Sequence, residues 1–111
     1  MNAIVDLPLE GAAHIPLQRI RPSPTNPRKH FEEPALAELA TDIAARGVLQ
    51  PLVVRPSPVA PGLFELVCGE RRFRASARAG LAAVPVTVRE LNDREALECA
   101  ISENGQRENL H

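Results

Sequence analysis

Hydrophobic and polar residues alternate along several short segments of this chain, and a period of two predicts β-strands. Residues 15–20 alternate in this way and predict a short strand, with Pro16 suited to its beginning or to an edge. Residues 52–54 form an apolar, β-branched run typical of a buried strand, and residues 63–68 follow as the expected hairpin partner. Residues 84–89 predict a fourth strand.

Three longer segments predict helices. Residues 33–46 carry one apolar stripe, and Gly47 supplies a stop signal for this helix. Residues 70–79 predict a second helix that ends at Gly80.

The third helix is expected to begin after Asn92, because Asn92 and Glu95 have the spacing of a capping box. Its apolar face carries Ala96, Leu97, Ala100 and Ile101. Gly105 weakens the helix near its end. The resulting order, β-α-β-β-α-β-α, predicts an α+β or α/β domain in which helices flank a small mixed β-sheet.

The length of 111 residues suits a single domain. Residues 1–14 show no periodicity and are expected to form a flexible leader, so the domain is expected to span residues 15–111. The leader has no Lys or Arg, which argues against a secretory signal or an organellar presequence. No apolar run approaches the 18 residues of a membrane span, so we expect no membrane association. Three prolines within residues 21–28 predict an irregular loop.

Two residue classes are scarce, and their scarcity excludes some kinds of site. Cys68 and Cys99 are too few for a disulfide framework or an all-cysteine zinc site, so both are predicted to be structural, in a reducing, cytoplasmic setting. The chain has three Phe residues and no Trp or Tyr. This composition argues against a surface on which the bases of a single-stranded nucleic acid stack.

The formal net charge of −1 conceals two basic islands. Residues 15–31 contain three arginines and one lysine but no acidic residue, and residues 70–80 contain four arginines against Glu70 alone. Basic islands in a nearly neutral chain favour local anion sites over a general nucleic-acid surface, which tilts a whole domain towards positive charge. The alternative is that each island is an ordinary solvated face.

The strongest local signal is a predicted strand that runs through Gly69 directly into a helix with Arg71 and Arg72 in its first turn. A helix N-terminus presents backbone N–H groups and the positive end of the helix dipole, and arginines bind phosphate oxygens bidentately. Arginine at this end opposes the dipole at a cost of about 0.3–1 kcal/mol, which indicates a functional reason for its presence. The alternative is a solvent-facing helix whose arginines pair with nearby glutamates.

Two further segments carry polar side chains suited to ligands. Glu103 and Asn104 offer the carboxylate and amide oxygens that Mg²⁺ prefers, and Gln106 and Arg107 lie within reach of phosphate oxygens. A polar helix end has the same appearance, so this alternative stays open. The loop at residues 26–31 carries three basic or titratable side chains. Its proline stiffens the backbone, which would reduce the entropy lost on binding a ligand.

Five segments, taken in order, resemble the N-terminal domain of ParB-type partition proteins. They are Ile15-Pro-Leu with Ile20-Arg-Pro, Asn26-Pro-Arg-Lys-His-Phe31, Gly47-Val-Leu-Gln-Pro-Leu-Val-Val-Arg55, Gly69-Glu-Arg-Arg-Phe-Arg-Ala75 and Glu103-Asn-Gly-Gln-Arg-Glu-Asn-Leu110. Together they span residues 15–110. The resemblance implies an α+β fold of the ParB/sulfiredoxin-like type and a site for CTP with Mg²⁺.

The resemblance also implies roles for particular residues. The loop would face the nucleobase through Thr25, Asn26, Arg28 and Phe31. The triphosphate would be held by Gln50, Gly69, Glu70, Arg71 and Arg72, with Gln106 and Arg107 beside the phosphates. Glu103 and Asn104 would organise the metal. Spacing alone does not distinguish cytosine from adenine, so CTP is implied by the resemblance only.

In that family, nucleotide and DNA together close a dimeric clamp that slides along DNA, and slow CTP hydrolysis resets it. The resemblance therefore implies self-association, a partition ATPase as partner and a nucleoid- or plasmid-associated location. The family binds DNA through helix-turn-helix and dimerisation segments, and this sequence ends at His111, before the positions where they would occur. Asn109 stands where the family usually has Asp. The reactive cysteine of sulfiredoxin would fall at Glu70, two positions from Cys68, which argues against a sulfinic-acid reductase.

Two other functions compete with a partition module. One is an ATP-using enzyme on the same fold, either a small-molecule kinase with Glu70 as general base or a ParB-like nuclease. The other is a domain that binds only protein partners, through the leader.

Overall fold

The computed structural model describes residues 10–22 and 33–108, with side chains at 10–22 and 34–102. The strands are β1 Gly11–Pro16, β2 Ile20–Arg21, β3 Leu52–Pro56, β4 Phe64–Cys68 and β5 Ala83–Val88. The helices are α1 Glu33–Arg46, α2 Glu70–Ala79 and α3 Asp93–Glu108, and a 3-10 turn at Leu17–Arg19 joins β1 to β2. These elements confirm the predicted α+β class and all three predicted helices.

The strands form one mixed sheet in the order β1-β5-β3-β4-β2. β3 and β4 make the predicted antiparallel hairpin, with a register shift between Val53 and Val54. β3 also pairs in parallel with β5, and the chain segment between β4 and β5 contains α2. β2 adds to β4 in parallel, and β1 adds to β5 antiparallel. The central position of β3 brings the beginning of α2, which follows β4, next to the segment that precedes β3.

The main core consists of alternate residues of these strands. In β5, Val84, Val86 and Val88 are buried and the residues between them are half-buried. Successive side chains of a strand point to opposite faces, so the three valines share one face. The other buried members of this cluster are Ile15, Ile20, Leu52, Val54, Phe64 and Leu66. Each such side chain contributes about 1.5–3 kcal/mol when it is fully buried.

A second cluster joins α1 to α2. Ala40 and Ile43 of α1 pack with Ala75 of α2, and half-buried leucines of α1 surround them. The apolar stripe predicted for residues 33–46 is therefore the surface on which α1 packs. Alanine on both helices permits a close approach of the two backbones.

The first strand begins earlier than the sequence predicts. β1 starts at Gly11, which pairs with Val88, and His14 pairs with Pro85. Residues 11–14 therefore belong to the folded domain, and the expectation of a leader up to residue 14 is wrong for them. The alternation of side chains gave no signal here because residues 11–13 are Gly-Ala-Ala, while the pairing uses backbone groups along the edge of β5.

The predicted strand over residues 15–20 is also interrupted. Pro16 has φ −59° and ψ 139°, and the 3-10 turn follows it before β2 begins at Ile20. The amide of Leu17 donates to Ala82 O at 3.0 Å, which holds the beginning of this turn beside the start of β5. Residues 1–9 and the part of the proline-rich loop from residue 23 onwards lie outside the described residues.

The ends of the helices confirm their predicted signals. The amide of Glu95 donates to Asn92 Oδ1 at 2.8 Å, and the amide of Asn92 donates to Glu95 Oε1 at 2.9 Å, which is the reciprocal geometry of a capping box. Gly80 ends α2 in a left-handed conformation. α3 continues through Gly105 to Glu108. Within the described residues, no helix combines the length and apolar character needed to cross a membrane.

Candidate functional site

The site is organised around Gly69, at the junction of β4 and α2. Its backbone has φ 98° and ψ 31°, a left-handed conformation that favours glycine. A Cβ atom at this position would lie 2.7 Å from Leu52 Cδ2. Glycine is thus required both by the backbone turn and by the close approach of β3, and the turn sends the strand directly into the helix.

The first turn of α2 presents its amides at the open end of the helix. The first helical hydrogen bond runs from Phe73 N to Gly69 O at 2.9 Å, so the amides of residues 70–72 precede it. No side chain caps this end, because the N-cap residue is Gly69. This geometry is typical of a helix N-terminus that binds an anion, since amide hydrogens and the positive end of the dipole point the same way.

Arg72 is held in place by Gln50. Arg72 Nη2 donates to Gln50 Oε1 at 2.6 Å, across 22 positions of the sequence. The structure therefore brings together two residues that the resemblance assigned to one site. Both side chains border an open groove beside the end of α1. The groove is also lined by Leu39, Asp42, Ile43, Gly47, Val48 and Leu49.

Arg71 and Glu70 differ in their surroundings. The Arg71 side chain is half-buried and has no hydrogen bond or ion pair within residues 10–22 and 34–102. The Glu70 side chain is only 8% exposed, and its Oε2 accepts from Arg74 Nε at 3.1 Å and Nη2 at 3.0 Å. The alternative of arginine–glutamate pairing is therefore correct for Arg74, whereas Arg71 makes no such pair among the described side chains.

The last predicted segment lies on α3. Glu103, Asn104, Gln106 and Arg107 all fall within this helix, but their side chains lie outside the described residues. Thr25, Asn26, Arg28, Phe31 and Asn109 also lie outside them. Among the side chains at 10–22 and 34–102, no three His, Cys, Asp or Glu residues cluster as a metal site would require. The predicted positions of the nucleobase loop and the metal ligands therefore stay predictions.

Arg55 anchors α3, and sequence reasoning did not single it out. Its guanidinium donates to Glu65 Oε2 at 2.9 and 3.2 Å, to Asp93 Oδ1 at 2.8 Å and to Leu91 O at 3.0 Å. Burial alone would lower the pKa of Arg55, but hydrogen bonds with Asp93 and Glu65 outweigh it and raise the pKa. A charged residue directly after the buried run at residues 52–54 was the available signal.

The chain matches the family model described as ParB N-terminal domain over residues 1–105. It is 54% identical over 100 residues to the chromosome-partitioning protein Spo0J of Thermus thermophilus, covering 90% of this chain and 36% of that protein. It is 47% identical over 103 residues to the chromosome-partitioning protein ParB of Caulobacter vibrioides, covering 93% and 34%. The chain thus spans about a third of the length of these relatives.

Solved structures show the same relationship. The C-terminally truncated ParB of Caulobacter crescentus, complexed with CTP-γ-S, matches with a TM-score of 0.83 and 47% identity, over 86% of this chain and 53% of that one. Sulfiredoxin of Arabidopsis thaliana matches with a TM-score of 0.62 and 22% identity, over 81% of this chain and 96% of that one, and shares the fold alone. The motifs around Gly69, the fold and these matches agree, and the chain belongs to the ParB N-terminal domain family.

Proposed function

We propose that this chain is the nucleotide-binding module of a ParB-type partition protein and that it binds CTP with Mg²⁺ at the N-terminus of α2. Two features that lie side by side carry the proposal. Gly69 begins α2 without a side-chain cap, and Gln50 holds Arg72 in the first turn of the same helix. A relative with 47% identity over 86% of this chain was solved with CTP-γ-S, which supports CTP as the nucleotide.

The proposed binding mode uses three groups of this chain around the phosphates. The amides of residues 70–72 would donate to phosphate oxygens, and Arg71 and Arg72 would neutralise their charge. The hydrogen bond from Gln50 orients the Arg72 guanidinium before the ligand arrives, which reduces the entropy lost on binding. Gly69 supports this arrangement through its left-handed backbone, which turns β4 directly into α2 and so places these amides at the site.

The metal is assigned by the chemistry of the donors. Glu103 and Asn104 on α3 offer hard oxygen ligands, which fit Mg²⁺ shared with phosphates. When bound, Mg²⁺ would neutralise part of the phosphate charge. Gln106 and Arg107 would add contacts to the phosphates, and Thr25, Asn26, Arg28 and Phe31 would face the nucleobase.

The wider function follows from the family. A ParB relative was solved complexed to the centromeric parS site, with 43% identity over 89% of this chain and 50% of that one. We propose that a protein containing this domain binds DNA through further segments, associates with itself as a nucleotide-switched clamp and works with a partition ATPase at the nucleoid or a plasmid.

An ATP-using enzyme is the weaker proposal. A general base at the γ-phosphate must be able to accept a proton from the attacking group. The carboxylate of Glu70, the candidate base, is instead buried in an ion pair with Arg74. This observation favours a binding module over phosphoryl transfer.

The test is a thermal-shift titration with CTP, ATP and GTP, each with Mg²⁺. Ligand at 100 times its Kd adds about 2.7 kcal/mol of stability, which corresponds to a shift on the order of 10 °C for a domain of this size. We expect the shift with CTP, its loss in Arg72→Ala and its retention in Arg94→Ala, a control whose side chain is 86% exposed on α3.

Three outcomes would contradict the proposal. A shift with ATP but not CTP would favour the enzyme, and no shift with any nucleotide would remove the phosphate site. Equal losses in Arg72→Ala and Arg94→Ala would show that the effect is general charge and not the site.

A further inference from the structure

The two cysteines of the chain meet at the contact between β4 and α3. Cys68 Sγ and Cys99 Sγ lie 3.8 Å apart, and the residues are 31 positions apart in the sequence. The two are not joined by a disulfide, and both are half-buried. The thiols are in van der Waals contact with each other.

The surroundings of the pair leave it accessible. Arg89 Nη1 lies 3.7 Å from Cys99 Sγ on an exposed side of the contact. Both cysteines are only half-buried, so each keeps part of its surface in contact with solvent. Closing the gap from 3.8 Å to the 2.03–2.05 Å of a disulfide requires about 1.8 Å of movement. The proposal below requires rotation of the two side chains and a small adjustment of α3 to supply it.

We propose that Cys68 and Cys99 are an oxidisable pair that forms a disulfide under peroxide and fastens α3 to the sheet. One sulfur attacks a peroxide oxygen, the O–O bond breaks and a sulfenic acid and water form. The second sulfur then attacks the sulfenic sulfur, the S–O bond breaks and a second water leaves. Two thiols and one hydrogen peroxide thus give one disulfide and two waters, and the sulfurs supply the two electrons.

The position of the pair gives the disulfide a consequence for the site. Cys68 directly precedes Gly69, and Glu103 lies four residues after Cys99 on α3. The bond would therefore fix the spacing between the beginning of α2 and the segment of α3 that carries the proposed metal ligands. This consequence rests on the proposed function, whereas formation of the disulfide does not.

The experiment exposes the full 111-residue chain to hydrogen peroxide and reads the product without nucleotide. We expect a mass loss of about 2 Da, loss of both titratable thiols and a linked Cys68–Cys99 peptide after non-reducing digestion. The melting temperature should rise on the order of 10 °C and return with dithiothreitol, because the bond restricts the unfolded chain. Peptides from α3 should exchange amide hydrogens more slowly in the oxidised form.

Cys68→Ser and Cys99→Ser are the matched controls, and in each the peroxide-induced rise in melting temperature should disappear. The proposal is overturned if peroxide gives only oxygen-adding products, only disulfide-linked dimers, or an internal disulfide that leaves the exchange of α3 unchanged. CTP with Mg²⁺ is then added to the reduced and oxidised forms. Different CTP shifts support the consequence for the site, equal shifts overturn that consequence, and no shift in either form counts against the proposed function alone.

Discussion

Two arginines of this fold, Arg55 and Arg72, have opposite surroundings. Arg55 is 6% exposed and its hydrogen bonds go to Glu65, Asp93 and Leu91 O, so its charge is satisfied by the protein itself. Arg72 lies at the positive end of α2, where the helix dipole opposes its charge, and its Nη2 donates to the amide oxygen of Gln50. The first arrangement stabilises the fold, and the second suits the ligand that the proposed function assigns to this site.

A buried charge and a charge at a helix N-terminus indicate different roles. Arg55, which contacts two carboxylates, marks a structural junction, although it is the most buried charged residue among those whose side chains are described. Arg72 instead lies where the helix dipole opposes its charge, and the proposed phosphate site would give that position a function. Removal of Arg55 should therefore lower the free energy of unfolding, and removal of Arg72 should lower the affinity for the proposed ligand.

The largest expected effect is that of Arg55→Ala. It leaves Glu65, whose side chain is 13% exposed, without its ion-pair partner, and it releases the beginning of α3. Removing one member of a buried ion pair typically costs about 3–5 kcal/mol. Urea denaturation should show this loss in the free energy of unfolding.

Asp93→Asn is the control for Arg55, because the Asp93 side chain is 88% exposed. An exposed ion pair contributes about 0–1 kcal/mol, so Asp93→Asn should lower the free energy of unfolding by no more than about 1 kcal/mol. Equal losses in Arg55→Ala and Asp93→Asn would show that the Glu65 pair does not stabilise this junction.

Gly69→Ala should have the next largest effect, because it changes the frame that carries Arg72. The positive φ and the 2.7 Å approach of Leu52 Cδ2 both oppose a Cβ atom, for a cost of about 2–4 kcal/mol. Gly80→Ala is the matched control, since Gly80 has φ 83° but no atom within 4 Å of its added Cβ.

The control should lose only the backbone part, about 1–2 kcal/mol, in the same urea denaturation. A loss in Gly80→Ala as large as in Gly69→Ala would mean that Leu52 yields easily and that close packing does not specify glycine at the site.

Asn92→Ala should cost about 1 kcal/mol, because it removes the reciprocal cap of α3 while leaving Arg55 in place. This variant sharpens the comparison by separating the two devices that hold the same helix end. A thermal melt followed by circular dichroism at 222 nm measures it. A loss as large as that of Arg55→Ala would show that the cap, and not the buried ion pair, is the main anchor.

Much of the fold was readable from the chain, because its signals are local. Periodicity placed α1 at its observed bounds, and the glycines at 69 and 80 marked the two ends of α2. The Asn92–Glu95 spacing located the beginning of α3. The start of β1 was missed because residues 11–13 carry almost no side chain and pair through their backbone. A signal that resides in the neighbouring strand is not present in the segment itself.

The site was readable in part, for the same reason. The Gly69-Arg71-Arg72 turn is a local pattern, and the sequence predicts its anion-binding geometry. The hydrogen bond between Arg72 and Gln50 and the contact between Cys68 and Cys99 join segments 22 and 31 residues apart. Such pairings depend on strand order and helix packing, which composition and spacing do not specify.

The most direct test of the account is the affinity of Arg72→Ala for CTP with Mg²⁺, measured by titration calorimetry beside its urea unfolding curve. Charge-assisted hydrogen bonds contribute about 1.5–3 kcal/mol, so the account predicts a loss of affinity of roughly 10- to 150-fold. The free energy of unfolding should change by less than about 0.5 kcal/mol, as for surface substitutions generally. Unchanged CTP affinity, or a loss of stability as large as that of Arg55→Ala, would contradict the assignment of Arg72 to a ligand and not to the fold.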